Sequence, residues 1–521
     1  MYGLVLSCIL AASGVAPPPR PRLVVVITVD QLRPDYLERY RRQLIGGLGL
    51  LLRRGAVFTD AYQDHAVTET APGHATILSG RWPAHTGIIR NGAGVQDSDA
   101  PLLVVTGVGA SPARFRGTAF FDWLHSAEPG ARALSVSRKD RGAILPLGRA
   151  RQQVYWYQSG LFTTSRYYSD SLPAWVREFN ELRIPFRAAG AAWTPLLAAA
   201  EYPEPDSQPY ENGGKDFVFP HRIPADAAGA AAALITVPTM DSVTLAFALA
   251  GVRALELGGR GSTDLLAVSL STTDAVGHAF GPDSREIHDQ VLRVDRYLGW
   301  FFGQLFIRFG GANVLIALTA DHGVTPLPEW SRLHGHPEAR RVSVDSIIRD
   351  VNAQLSRRAS QAAWLTLEAG LVLVPGRGTL ATAGVDVDSV LDAVAARLRA
   401  VPGVSRVQRP EELSRADTVA DPVSRRWQHE IPADAGVALA VTLRPYAIWS
   451  DDTVSLAMHG QPSDIDAHVP LMLWGPGIRS GTYPGRAGEV DLAPTLARLL
   501  GLTPAEPVDG RVLVEALGRR E

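Results

Sequence analysis

Leu23–Asp30 reads LVVVITVD, seven apolar or β-branched residues closed by a carboxylate. The run is too short for a helix of ordinary length and does not alternate polar with apolar, so it reads as a strand buried on both faces of a parallel sheet. Three further runs have the same character: Leu265–Leu270 (LLAVSL), Val314–Leu318 (VLIAL) and Val469–Trp474 (VPLMLW). Each adjoins polar, potentially reactive residues. Asp30 follows the first, Thr273-Asp274 the second and Asp321-His322 the third, while His459 precedes the fourth. Open α/β sheets gather their sites beyond the carboxyl ends of their strands, where three of these four groups fall, so the runs point to one place.

Between the runs, Ser284–Phe306 carries Ile287, Val291, Val294, Leu298 and Phe302 at the period of an amphipathic helix packed on a sheet. Val390–Val401 is a similar helix. With strands at Leu371–Val374 and Val404–Val407 it predicts a small β-α-β accessory unit within residues 346–450. A second insertion, 151–255, is rich in Trp, Tyr, Pro and Ala and is expected to cap the site, with packing as the alternative. The catalytic core is then assembled from 22–150, 256–345 and 451–518, giving a three-layer α/β/α sandwich around a mostly parallel sheet.

Composition narrows the function. With 51 Lys and Arg against 53 Asp and Glu, no basic field is available to bind nucleic acid or an anionic membrane through charge. Tyr2–Ala16 is a short apolar stretch ending in small residues and followed by Pro17-Pro18-Pro19. Residues 1–19 therefore read as an export signal, too short to span a bilayer, which predicts a periplasmic or secreted protein without stable membrane insertion. The only cysteine, Cys8, lies inside that segment, where a lipoprotein anchor is the lesser reading. The rest of the chain has neither disulfides nor thiolates, so a metal must be held by His, Asp, Glu or hydroxyl groups.

Thr68–Gly80 (TETAPGHATILSG) carries the most specific chemistry. Proline at 72 suits a first helical turn, which puts Thr70 at the N-cap, where free N–H groups and the positive dipole end could bind phosphate oxygens while the hydroxyl attacks phosphorus. Asp274 and His278 are four apart and share a helix face; Asp321-His322 ends a strand where carboxylate and imidazole can diverge. With Asp30 and His459 they make three Asp and three His, a donor set that suits zinc with open coordination positions. Taken singly, Thr70 is an ordinary helix cap and each Asp or His a turn, surface or core residue.

Together these residues form a pattern. Thr70-Ala71-Pro72-Gly73-His74 after Val29-Asp30, then Asn91, Lys139-Asp140-Arg141, Asp274-x3-His278, Asp321-His322-Gly323 and His459-Gly460, resembles the zinc-dependent bacterial alkaline phosphatases that use a threonine nucleophile. The resemblance runs from Leu23 to Leu517. It implies an alkaline-phosphatase-like fold and hydrolysis of small phosphate monoesters through a phosphothreonine. It implies two zinc ions, one on Asp274, His278 and His459 and the other on Asp30, Asp321 and His322, with the Thr70 oxygen between them. It also implies that Asn91, Lys139 and Arg141 bind the phosphoryl group, the Lys139/Arg141 pair favouring monoesters.

A charge-pattern reading alone would leave Arg138–Arg141 as a solvated run; as a strand, it would point Lys139 and Arg141 to one face. His468 competes with His459 for the last ligand position, with His459 favoured. His334 and His336 are expected as loop residues near the site. Tyr155-Trp156-Tyr157 is expected to be core, with a wall for the leaving group as the alternative. More distantly the chain resembles nucleotide pyrophosphatase/phosphodiesterases, which are not expected to carry the Lys139/Arg141 pair. A sulfatase reading fails because Thr70-Ala71-Pro72 stands where Cys or Ser is required. A phosphoglycerate mutase would use serine in the cytoplasm, and an inactive binding protein would have lost ligands that are all present here.

Overall fold

The computed structural model describes residues 20–357, 364–375, 377–450 and 456–518. The export-signal and Cys8 readings lie outside the described residues. The central sheet is built from β1 (Leu23–Val29), β2 (Ala56–Tyr62), β3 (Ala133–Ser137), β4 (Gln153–Gln158), β5 (Leu161–Thr163), β6 (Asp264–Leu270), β7 (Val314–Thr319), β8 (His468–Trp474), β9 (Gly481–Tyr483) and β10 (Ala487–Gly488). Its order is β9-β2-β8-β7-β1-β6-β3-β4-β5, with β10 also on β2.

β1 lies between β6 and β7, parallel to both, and all seven of its side chains are buried. Its side chains alternate between two cores. Val25, Ile27 and Val29 pack with Ile287, Val291 and Leu298 of the helix Arg285–Phe309 and with Phe247 of the helix Thr239–Ala254. Val24 and Val26 pack with Ala75 and Leu78 of the helix Thr70–Ser79 and with Leu496 of the helix Leu492–Leu500. Period-two burial against helices on both faces is what makes the molecule three-layered. The long helix expected over Ser284–Phe306 runs Arg285–Phe309, and Ser284 stands before it as the N-cap, its Oγ accepting the Ile287 N–H (3.1 Å).

The fourth apolar run departs from the parallel expectation: β8 runs antiparallel to β7 and β2. A strand buried on both faces reads the same in either direction, so the run carries no sign of its polarity. The reversal explains why its reactive histidine precedes the strand, since the amino end of β8 lies beside the carboxyl end of β7.

Within the segment 151–255, β4 and β5 extend the sheet edge and Thr239–Ala254 covers a sheet face. Beyond residue 345, a second sheet of order Thr366–Glu368, Leu371–Leu373, Val437–Leu443, Val404–Gln408 has its own core with the helix Val387–Arg399. The predicted β-α-β is split, because Val437–Leu443 inserts between its two strands and pairs antiparallel with each. Among the described residues no single helix is long and apolar enough to cross a membrane.

Candidate active site

Register brings the carboxyl ends of β3, β1, β6 and β7 level. Thr28 pairs with both Ser269 and Thr319, and Ser137 also pairs with Ser269. Asp30 continues the alignment, its N–H donating to Leu270 O (2.9 Å). Gln31 then turns the chain with φ +66°, a left-handed conformation costing a non-glycine residue of order 1 kcal/mol. The strained turn aims two bonds at the site: Gln31 N–H donates to Asp321 Oδ1 (3.1 Å) and its Nε2 to Asp274 Oδ1 (2.9 Å). Sequence reasoning missed Gln31; its place beside Asp30 was the one available signal.

The helix Thr272–Phe280 presents Asp274 and His278 one turn apart, Oδ1 and Nε2 lying 3.2 Å from each other. His459 Nε2 completes this group, 3.2 Å from His278 Nε2 and 3.5 Å from Asp274 Oδ1. Both rings use Nδ1 to donate to a carbonyl, His278 to Ala457 O (2.6 Å) and His459 to Thr68 O (2.7 Å). A carbonyl only accepts, so in the neutral rings the lone pairs sit on the two facing Nε2 atoms. Two lone pairs and a carboxylate converging this closely make a donor set that could hold a metal ion. Burial lowers the His459 pKa, but the carboxylates of Asp274 foremost, then Asp466 and Glu69, more than offset it and hold the ring above its ordinary value.

A second group adjoins the first. His322 Nδ1 donates to Gly323 O (2.9 Å), leaving Nε2 3.5 Å from Asp30 Oδ1 and 3.7 Å from Asp321 Oδ2. These three atoms are buried and have no hydrogen-bond partner. Ligand atoms of Asp30, Asp274 and His322 fall within 4.8 Å of one another, as do those of Asp274, His278 and His459. Asp274 therefore belongs to both groups, and Asp321 joins the second through His322. Burial, with the Asp274 and Asp321 carboxylates, raises the Asp30 pKa. Three buried carboxylates face one ammonium, Lys139 Nζ, which lies 2.6 Å from Asp30 Oδ2 and 2.7 Å from Asp274 Oδ2. Buried charge of one sign in this excess fits divalent cations.

Thr70 is 1% exposed and its Oγ1 accepts from Lys139 Nζ (3.1 Å). It is the first residue of its helix; the N-cap is Glu69, so the predicted N-cap shifts by one position. Glu69 makes no side-chain cap bond. Its Oε2 instead accepts the Asn91 N–H (2.7 Å), and Asn91 Oδ1 accepts the Ala71 N–H (2.9 Å). Asn91 thus supplies the cap and keeps its NH2 as a donor. His74, one turn on, is buried and spans Thr70 O (2.8 Å from Nδ1) and Ser269 Oγ (2.9 Å from Nε2), with Nδ1 3.2 Å from Asp321 Oδ2. His74 is a positioning residue whose role the motif does not reveal. Gly73 lies so close to the Asp321 backbone that any Cβ would collide with it.

Lys139 and Arg141 do not share a strand face. β3 ends at Ser137, whose Oγ accepts the Lys139 N–H (3.1 Å), and a short helix, Asp140–Ile144, begins directly after Lys139. The turn sends Lys139 inward. Arg141 lines a cavity of about 420 Å³ with Lys139, Trp156, Tyr157 and Gln158. Tyr155 packs against Trp175 and Phe247, and Trp156 is 2% exposed, so this cluster is core that also forms one wall of the cavity. His468 stands apart, stacked on Tyr62 and bonded to Thr59 O (3.1 Å). His334 and His336 stack on Trp330 and Tyr446.

A family model described as type I phosphodiesterase / nucleotide pyrophosphatase matches residues 24–402. Alkaline phosphatase PafA of Elizabethkingia meningoseptica is 30% identical over 551 residues, covering 99% of this chain and 98% of that protein. Alkaline phosphatase PhoV of Synechococcus elongatus is 32% identical over 530 residues, covering 96% and 93%. The crystal structure of PafA superposes with a TM-score of 0.88 at 29% identity, over 96% of this chain and 99% of that one. The chain belongs to the type I phosphodiesterase / nucleotide pyrophosphatase family and groups with the bacterial alkaline phosphatases PafA and PhoV.

Proposed function

We propose that this chain hydrolyses phosphate monoesters with Thr70 as nucleophile at a two-zinc centre. One observation carries the reading: the Thr70 hydroxyl and the Lys139 ammonium, 3.1 Å apart, stand beside two converging groups of histidine and carboxylate donor atoms. Relatives named alkaline phosphatases, aligned over nearly the whole chain, agree with it.

Asp274, His278 and His459 would hold one ion and Asp30, Asp321 and His322 the other; when bound, such ions lower the pKa of an adjacent hydroxyl and stabilise charge on a leaving oxygen. Asn91 and the amino end of the Thr70 helix offer N–H donors to the phosphoryl oxygens, and Arg141 offers a planar fork. Thr70 Oγ forms a bond to phosphorus in line as the ester P–O bond breaks; its proton passes to solvent, and the departing alkoxide takes one from water. Water then attacks the phosphothreonine, the Oγ–P bond breaks, inorganic phosphate leaves and the hydroxyl regains its proton. Lys139 remains beside Oγ throughout as a fixed positive charge. The apolar N-terminal segment supports action outside the cytoplasm, a reading checked by fractionating cells that express the full chain.

The deciding experiment compares hydrolysis of p-nitrophenyl phosphate and bis-p-nitrophenyl phosphate by zinc-loaded protein at alkaline pH. A strong monoester preference, abolished by chelator and by Thr70→Ala, is the expected result. A diester preference would move the chain to the phosphodiesterase activity that names its family, and turnover of neither would leave a binding protein.

A further inference from the structure

The residue before Lys139 has no part in the chemistry above, yet it is built into the mouth of the site. Arg138 follows the last residue of β3 and lines both the 420 Å³ cavity shared with Lys139 and Arg141 and a second cavity, of about 370 Å³, shared with Asp274 and His278. Arg138 Nε is buried without a hydrogen-bond partner, and among the described residues the guanidinium makes no ion pair, the carboxylates of Asp274, Asp30 and Asp241 acting on it only through longer-range charge. Other arginines of the fold are paired: Arg33 with Asp35, Arg39 with Glu204, Arg293 with Asp289. A partly buried guanidinium has lost much of its hydration, and leaving its N–H groups unanswered is costly unless a ligand answers them. The 420 Å³ cavity suits an anion. Of the charged groups on its wall, Lys139 is engaged by Asp30 and Asp274, and Asp140 accepts the Arg141 backbone N–H (2.7 Å) and lies 3.6 Å from its guanidinium, which leaves Arg138 as the cation without a paired carboxylate.

We propose that Arg138 is a specificity residue that binds a second anionic group, a carboxylate or a phosphate, on the alcohol side of the ester. The inference rests on the phosphomonoesterase reading and names the class of substrate it favours: esters whose alcohol portion is itself an anion. With the phosphoryl group at Thr70, a second anion a few bonds away enters the cavity that Arg138 walls, and the guanidinium fork receives two of its oxygens.

Zinc-loaded wild-type protein and Arg138→Gln are compared on two pairs of esters: 3-phosphoglycerate against glycerol 3-phosphate, and fructose 1,6-bisphosphate against fructose 6-phosphate. The first pair tests a carboxylate as the second anion and the second a phosphate. In at least one pair, kcat/KM for the doubly anionic ester relative to its partner is expected to fall tenfold or more in Arg138→Gln; a ratio unchanged within twofold in both pairs overturns the proposal. Titration calorimetry separates this from failure of the catalytic reading. Wild-type protein is expected to bind phosphonoacetate at least tenfold more tightly than methylphosphonate whether or not it turns over any ester. Equal affinities overturn the proposal without calling on a variant.

Discussion

The side-chain amide of Gln31 passes directly over Gly277, so close that a Cβ on Gly277 would collide with Gln31 Oε1. Gly277 lies between Asp274 and His278 on their helix, and its bare Cα is what lets Gln31 Nε2 reach Asp274 Oδ1 (2.9 Å). Gly277→Ala is expected to push Gln31 aside and lower kcat/KM for p-nitrophenyl phosphate and zinc affinity by about tenfold or more, the scale of losing a ligand's supporting bond. The thermal midpoint should record an overpacking cost of about 1–3 kcal/mol. Wild-type zinc affinity in this variant would show that Gln31 does not orient Asp274.

His459 and His468 have different assignments, and metal content tells them apart. His459 Nε2 stands with His278 and Asp274, whereas His468 bonds to Thr59 O on the neighbouring strand. On the proposed two-zinc reading, His459→Ala is expected to reduce zinc measured by mass spectrometry from two ions per chain towards one and activity by at least about a hundredfold, more than a lost second partner would cost. His468→Ala should keep both ions. The reverse pattern would return the last ligand position to His468.

Removing the Lys139 ammonium should act differently on metal-free and zinc-loaded protein. Without metal, Lys139→Met leaves the buried carboxylates of Asp30 and Asp274 uncompensated, and breaking a buried pair costs about 3–5 kcal/mol. Bound zinc supplies the missing charge, so the midpoint deficit measured by calorimetry should shrink on loading. Monoester kcat/KM should fall more than diester kcat/KM if, as the proposed function has it, the ammonium also serves the extra phosphoryl charge of a monoester. An equal deficit with and without zinc would remove Lys139 from this charge balance.

Much of this arrangement is legible because its parts are local. Leu23–Val29 has no charged position and reads as buried on both faces; Asp274 and His278 share a face by spacing; Ile287, Val291, Val294, Leu298 and Phe302 mark by their period the helix that packs on the sheet. The parts that escape are set by distant chain. Glu430 Oε2 accepts the Val67 N–H (2.8 Å) and so steadies the approach to Thr70 from 363 residues away. Nothing in Glu430 or in Val67 announces that contact. Lys139–Arg141 is too short to show a period, so strand and turn read alike until the Ser137 bond to Lys139 N–H closes the turn. The direction of β8 is invisible for the same reason that its burial is obvious.

Stability at alkaline pH, where the proposed chemistry runs fastest, turns on a buried carboxyl away from the metal ligands. Glu211 is 3% exposed, its Oε2 has no hydrogen-bond partner, and burial together with the Glu286 and Asp206 carboxylates pushes its pKa to about 9 from an ordinary 4.5. A carboxyl whose folded pKa is raised binds its proton more tightly when folded, so its favourable contribution is complete below about pH 4.5 and is lost as pH climbs to about 9. Above that range the folded protein must keep a buried carboxylate beside two others. Glu211→Gln keeps the shape and removes the ionisation. Denaturant unfolding of the metal-free protein is expected to show little difference between Glu211→Gln and wild type near pH 5, and a variant more stable by at least about 2 kcal/mol near pH 9.5. A constant difference across that range would mean that Glu211 does not titrate with folding and that its burial is relieved by some other route.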